Sequence, residues 1–158
     1  MKKMITCTSV SIYQEALTRG QQYEVLDEDT TKQQVKIRGD NGRVRWFPMT
    51  CFDLEGRPVA VMVRWQFDNP IENEFDDWVE VSFDLSDGTR RWCSFVTPDR
   101  LKRLLDQQHA EPGYWSTHMI LVRSLTPEVI ERMLRVLDQK GKLLDASVML
   151  RNTAARQQ

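Results

Sequence analysis

A run of acidic residues is the first candidate binding site in the sequence. Between Pro58 and Gly88, Arg64 is the only cation among eight acids, and the acids are densest from Asp68 to Asp77. Carboxylates beside an aromatic ring suit the binding of a basic protein, because opposite charges speed encounter and aromatic burial holds the complex. The residues predicted to bind such a partner are Glu72, Glu74, Asp76, Asp77 and Trp78.

The second group is cationic and flanks the turn at Asp40-Asn41-Gly42. Alternation predicts that Val35, Ile37, Val44 and Trp46 point to the core, which leaves the cations on the solvent face of the hairpin. With Phe47 as a stacking surface, the predicted nucleic-acid-binding residues are Lys36, Arg38, Arg43, Arg45 and Phe47. The sequence pI of about 6.1 makes this the weaker alternative. A third reading, that this hairpin docks on the acidic run within one chain or in a homodimer, stays open.

Catalytic and metal-binding patterns are sparse. His109 and His118 have neither the helical spacing of a zinc protease nor a cysteine pair beside them, and the acidic run lacks the glycine that a calcium-binding EF-hand loop requires. The three cysteines, Cys7, Cys51 and Cys93, are widely spaced, as in reduced intracellular proteins. Cys93 with His118 is the one cysteine–histidine pair that strand placement could bring together. We therefore expect a protein that is not an enzyme and has no metal and no cofactor, and we keep an enzyme with an unrecognised site as an alternative.

The elements that must position these residues are mainly strands. Tyr23 to Phe52 has strand and turn character, with a loop predicted over Asp27-Glu28-Asp29-Thr30-Thr31. Val59 to Phe67 reads as a strand. Trp78 to Leu85 alternates, so that Val79, Val81, Phe83 and Leu85 share one face, and Ser86-Asp87-Gly88 turns it back into a strand over Arg91 to Val96.

The same sequence pattern predicts the starts of two helices. Thr97-Pro98-Asp99 and Thr126-Pro127-Glu128 each place an N-cap residue before a proline and an acid in the first turn. Between them, His118 to Val122 is predicted to be extended, and Leu143 to Leu150 is a candidate last strand. Trp78 and Trp115 stand at the edges of these elements, where aromatic residues often act as binding hot spots.

The predicted fold class is α+β, with a small N-terminal β-barrel followed by an α+β domain that has a mostly antiparallel sheet and two helices. Glu55-Gly56-Arg57-Pro58 supplies the boundary. The predicted organisation is a barrel over residues 1–56, the α+β domain over 57–150 and a flexible polar tail over 151–158. The chain has no apolar run long enough to cross a bilayer and no signal-type apolar segment, so we expect a cytoplasmic protein without a membrane partner.

Trp46-Phe47-Pro48 followed by Phe52 resembles the Trp-Phe-Pro-x-x-Tyr signature that closes Src-homology-three-like domains. The resemblance covers about a quarter of the chain and implies a small barrel with an aromatic groove for proline-rich peptides. The paired tryptophans and the Ala-Leu-Tyr-Asp-Tyr opening of that family are missing here.

The second half, with its hairpin, its two Thr-Pro-acid helix starts and the strand at Ile120-Leu121-Val122, is similar to small α+β immunity proteins that neutralise bacterial toxins. The similarity concerns the order of elements and not a residue motif. It implies a small, non-catalytic inhibitor that acts through an acidic and aromatic surface.

Overall fold

The computed structural model describes residues 1–107 and 112–150. Over these residues the chain is a mixed α+β protein with mostly antiparallel sheets and two α-helices, as the sequence predicted. It divides into two compact units, the first comprising Met1–Val61 with Val136–Lys142 and the second Met62–Arg135 with Leu143–Gln158. The tail predicted over 151–158 lies outside the described residues.

The first unit contains two three-stranded sheets. One has the order β2-β1-β6 and the other β3-β4-β5, and all neighbouring strands in them are antiparallel. A 3-10 turn at Met49–Cys51 separates the last two strands. The strands are β1 (Met4–Cys7), β2 (Gln22–Glu24), β3 (Asp27–Asp29), β4 (Gln34–Arg38), β5 (Val44–Pro48) and β6 (Phe52–Asp53).

Both sheets contribute to one hydrophobic core. Ile5 and Tyr23 come from the first sheet, and Val35, Ile37 and Phe47 come from the second. The rings of Tyr13 and Phe47 meet edge to face with their centroids 5.2 Å apart. Among the described residues the six strands do not close into a barrel.

The predicted faces of β5 are wrong, although the turn lies at Asp40-Asn41-Gly42 as predicted, because those faces require the register of a two-residue turn. Three residues, Asp40-Asn41-Gly42, form the turn, with Gly42 at a φ of 80° and Gly39 N–H donating to Arg43 O at 2.9 Å. A two-residue Asn-Gly turn would have placed Trp46 opposite Ile37. The three-residue turn places Arg45 opposite Ile37 instead, so every side chain of β5 lies on the face opposite to the predicted one.

In the observed register Phe47 lies opposite Val35, and Arg45 lies opposite Ile37. Phe47 is therefore fully buried, whereas Val44 is exposed and Trp46 only half-buried. Arg45 shares the face of Phe47, and its guanidinium carbon lies 5.4 Å from the centroid of that ring. The large aromatic residue that fills this core is Phe47 and not Trp46.

The loop predicted over Asp27 to Thr31 is partly a strand. Asp27–Asp29 forms β3, and Asp27 lies directly opposite Lys36 of β4. Aspartate has a low intrinsic preference for strands, but ladder hydrogen bonds and a facing cation override it here.

A part-buried ion pair ties the distant segment Val136–Lys142 into the first unit. Arg19 Nη1 lies 3.2 Å from Asp138 Oδ1, and the side chains of Arg19 and Asp138 are 11% and 7% exposed. The backbone N–H of Arg19 also donates to the Gln139 side chain at 2.8 Å. Charges this well buried require partners, and each side chain supplies one to the other.

The second unit is built on a five-stranded sheet. Its strand order is β10-β9-β8-β7, with β11 also paired to β9, and β10 is the strand that runs parallel to its neighbour. The elements are β7 (Met62–Phe67), β8 (Trp78–Leu85), β9 (Arg90–Val96), α1 (Pro98–Gln107), β10 (Met119–Leu121), α2 (Pro127–Gln139) and β11 (Val148–Met149). The last residues of α2 belong to the first unit.

The alternation predicted along β8 is confirmed. Val79, Val81, Phe83 and Leu85 are buried, whereas Glu80 is exposed and Asp84 half-buried. The turn after β8 has Gly88 at a φ of 86°, a conformation that favours glycine, and Leu85 N–H closes the hairpin on Thr89 O at 2.9 Å.

Both predicted helix starts are confirmed, since α1 begins at Pro98 and α2 at Pro127. Thr126 caps α2 through its hydroxyl, which accepts from Val129 N–H at 3.3 Å. Gly141 ends α2 at a φ of 70°, and Lys142 N–H donates back to Leu137 O at 2.8 Å.

We expect Phe47→Ala to lower the free energy of unfolding by about 3–5 kcal/mol, because it empties the centre of the first core. Val44→Ala, on the opposite face of the same strand, should cost less than about 1 kcal/mol. Urea denaturation measures both changes. Equal losses would mean that β5 does not have the register described.

Candidate functional site

The acidic run forms the connection between β7 and β8, and Asp77 holds it in shape. Asp77 Oδ2 accepts from Glu72 N–H at 2.9 Å and Oδ1 accepts from Trp78 N–H at 2.8 Å. The backbone N–H of Asp77 donates to the Thr97 hydroxyl at 3.2 Å, so this predicted N-cap residue also anchors the loop. These hydrogen bonds hold the two ends of the connection together, so the connection has a fixed shape.

The pKa of Asp77 lies below its usual range. Burial raises it, but backbone N–H groups of Glu72, Trp78 and Asn73 stabilise the ionised carboxylate, and the charge of Arg100 adds to them. The net direction is downward because these donors together outweigh burial. Asp77 stays ionised at neutral pH as a structural group.

The carboxylate of Asp76 also has a partner within the second unit. Its Oδ1 accepts from Arg103 Nη2 at 2.9 Å and Arg103 Nε at 3.2 Å. This pair fixes the loop to α1 and neutralises one of the predicted recognition charges. Asp76 and Asp77 thus shape the loop. Its exposed carboxylates are those of Glu72, Glu74 and Asp68, and Asp68 accepts from the Ser82 hydroxyl at 2.7 Å.

Two aromatic side chains of the second unit are exposed. Phe75, at the tip of the loop, is 56% exposed, and its backbone N–H donates to Asn73 Oδ1 at 3.0 Å. Trp115 is 82% exposed, and it follows Tyr114, whose ring meets Trp78 edge to face at 5.7 Å. We call Glu72, Glu74, Phe75, Trp78 and Trp115 the acidic–aromatic surface.

Of the residues predicted for protein recognition, Glu72 and Glu74 are exposed and Trp78 is half-buried against Tyr114. Phe75 was not among the residues predicted from the sequence. Its position between Glu74 and Asp76, in a stretch rich in turn-forming residues, was the available signal, because an aromatic residue in a short polar loop has little core to enter.

The predicted cationic site is divided between the two faces of its hairpin. Lys36 and Arg38 lie on the face of Trp46, and Lys36 Nζ is 5.9 Å from the centroid of that ring. Arg45 is on the other face, over the rings of Tyr13 and Phe47. Arg43 is exposed beside the turn.

Phe47 cannot stack on a base, since it is fully buried. Its inclusion in the predicted nucleic-acid site is therefore wrong, and the cause is the register shift of β5. Trp46 takes the position beside Lys36 and Arg38.

The cysteines do not form a nucleophilic site. Cys93 is fully buried, and burial, with a smaller effect of Asp68, raises the pKa of its thiol to about 12. His118 meets the neighbouring strand through its backbone, where its carbonyl accepts from Ser94 N–H at 2.9 Å. A thiol with this pKa is protonated at neutral pH and is a poor nucleophile.

Within residues 1–107 and 112–150, no cluster of three or more His, Cys, Asp or Glu side chains could hold a metal ion. Among the same residues, neither helix has the length and apolar character needed to span a bilayer. His109 lies outside the described part of the chain.

No family model, curated protein or solved structure matches this chain.

We expect Asp77→Asn to lower the free energy of unfolding at pH 7 by about 1–3 kcal/mol, because an amide has one acceptor oxygen for two backbone donors. Asp76→Asn, the matched control, should cost less than about 1 kcal/mol, since it removes a half-exposed ion pair.

The difference between the wild type and Asp77→Asn should depend on pH. A carboxyl with a depressed folded pKa stabilises the fold fully above its unfolded pKa, and that stabilisation is lost as the pH falls through the lower folded value. Urea denaturation from pH 7 to pH 2 should therefore show the two proteins converging in acid. A constant difference would contradict the structural role of the ionised carboxylate.

Proposed function

We propose that this chain is a non-enzymatic recognition protein of the cytoplasm that binds, and thereby inhibits, a basic protein in the manner of an immunity protein. The observation that carries this proposal is the exposure of Phe75 and Trp115, at 56% and 82%, with Phe75 following the exposed Glu74 in the loop. Large aromatic rings left in water are the side chains that gain most from burial in a complex.

The fixed shape of the loop supports the proposal. The bonds from Asp77 to Glu72 and Trp78, and the ion pair of Asp76 with Arg103, hold the segment before a partner arrives. Association then costs less conformational entropy than it would with a disordered segment. The two inner aspartates thus serve binding indirectly, by presenting Phe75.

Charge supports a basic partner. Glu72 and Glu74 are exposed on the loop, and Glu80 is exposed on the strand that follows. A surface with this excess of carboxylates attracts a cationic protein and disfavours a polyanion. Rim charges of this kind act mainly on the association rate, whereas the aromatic residues act mainly on the dissociation rate.

We also propose that the first unit is an open variant of a small Src-homology-three-like barrel. Its two three-stranded sheets share one core, and Trp46-Phe47-Pro48 closes the second of them. With Phe47 buried in that core, the segment acts here in packing, and recognition is assigned to the second unit.

Photo-crosslinking tests the main proposal. A photoreactive phenylalanine analogue at position 75 or 115 should yield the same crosslinked basic protein from a lysate of the source cells. The same analogue at Ile12, which is 78% exposed in the first unit, is the matched control and should not yield it. Equal yields from Ile12 would reject the surface.

With that partner purified, Phe75→Ala should weaken binding by about 2 kcal/mol or more, chiefly through faster dissociation. Glu72→Gln with Glu74→Gln should slow association several-fold and reduce its dependence on salt. Unchanged kinetics in both variants would contradict the acidic–aromatic surface.

The shared face of Lys36, Arg38 and Trp46 favours a second candidate function, the binding of single-stranded nucleic acid. The basic side chains would contact phosphates, and the indole would stack on a base. Asp27, directly opposite Lys36, opposes this function because it reduces the local positive charge.

A salt titration with a fluorescent oligothymidylate tests the second candidate. Contacts from Lys36 and Arg38 should give a plot of log affinity against log salt with a slope of about −1.4, and Arg38→Gln should reduce its magnitude by about 0.7. Arg45→Gln, on the opposite face of β5, should leave it unchanged. The same slope in both variants, or no binding at about 50 mM salt, would exclude the site.

A further inference from the structure

A groove of about 1050 Å³ crosses the sheet of the second unit at the end where β8 turns into β9. Arg64, Asp84 and Arg90 line it, from three adjacent strands. Asp84 pairs directly with Arg64 on one side and with Arg90 on the other. Directly paired residues of antiparallel strands project to the same face, so the three side chains form one row across the sheet.

The central carboxylate holds both guanidinium groups. Asp84 Oδ2 lies 2.5 Å from Arg64 Nε, and Asp84 Oδ1 lies 3.3 Å from Arg90 Nε. One carboxylate thus fixes two arginines that would otherwise repel each other. The row carries one net positive charge.

Donors remain available on this row. A guanidinium has five N–H groups, and these contacts with Asp84 use the Nε position of each arginine. The Arg64 and Arg90 side chains are 81% and 48% exposed, whereas Asp84 is 20% exposed. An incoming anion therefore meets guanidinium nitrogens before it meets the carboxylate.

We propose that this groove binds an organic phosphate monoester, whose phosphate bridges Arg64 and Arg90. A dianionic phosphate offers three acceptor oxygens, enough to contact both guanidinium groups at once. Asp84 is a positioning residue, since it orients the arginines and does not contact the ligand.

The size and walls of the groove favour an organic ligand over free phosphate. The volume is in the range of small-molecule sites and far exceeds that of one phosphate group. Met149 and Leu150, which are 55% and 40% exposed, line one side and offer apolar contact. Gln66, which is exposed, lines another part and supplies an amide group. This combination suits a nucleotide-like monoester.

The groove is separate from the acidic–aromatic surface. Trp78 begins β8 and Asp84 stands near its end, which separates them by about 20 Å along the strand at about 3.3 Å per residue. A failed test of either site therefore leaves the other unaffected.

Nuclear magnetic resonance of the full chain, observing arginine Nε–H signals, tests the proposal. The titrants are adenosine 5′-monophosphate, inorganic phosphate, adenosine, and sodium chloride at matched ionic strength. We expect the nucleotide to shift the Arg64 and Arg90 signals saturably, with a Kd of about 1 mM or lower, and to bind more tightly than inorganic phosphate or adenosine.

Arg64→Gln and Arg90→Gln should each weaken nucleotide binding by about tenfold, the loss expected for one charge-assisted contact. Arg57→Gln is the matched control, because Arg57 is an exposed arginine of the first unit paired with Asp53, and it should bind like the wild type.

Several results would overturn the proposal. Equal binding of inorganic phosphate would reduce the groove to a simple anion site, and equal binding of adenosine would show that the phosphate is not recognised. Unsaturated shifts in the wild type, or wild-type affinity in both arginine variants, would exclude a phosphate contact with this row.

Discussion

The alternation of side chains along β8 is the constraint on which the second unit depends. Val79, Val81 and Phe83 are buried on one face, so Glu80, Ser82 and Asp84 must project from the other. A strand with neighbours on both sides has no freedom to rotate without breaking two ladders. Both candidate sites of this unit begin on β8, with Trp78 at its start and Asp84 near its end.

Carboxylates in this protein serve two distinct purposes. Asp76, Asp77 and Asp84 are partly buried and use their oxygens on internal donors, so that each fixes a loop or a pair of arginines. Glu72 and Glu74 are exposed and can contact a partner protein. Charge density along the sequence counts both kinds alike, although only the second kind contributes directly to recognition.

Much of the architecture could be predicted from local sequence patterns. The hairpin from β8 to β9 and both Thr-Pro-acid helix starts are found where alternation and capping residues indicated them. These features depend on neighbours within a few residues, and such interactions are present in the sequence itself. The facing of β5 was predicted wrongly, because it depends on which residues pair across the turn, and a three-residue turn reverses the faces that a two-residue turn gives.

The candidate sites were also predictable only in part from the sequence. By itself, the sequence determined that the acids are concentrated between β7 and β8, that cations flank the hairpin at Gly42, and which segments form the main strands and helices. The tertiary structure alone determines which charged side chains form ion pairs: Asp76 pairs with Arg103, and Asp84 pairs with both Arg64 and Arg90. It also determines that Phe47 is buried and that Phe75 is exposed. The physical reason is that local preference depends on nearby residues, whereas burial and ion pairing depend on residues that meet only after the chain has folded.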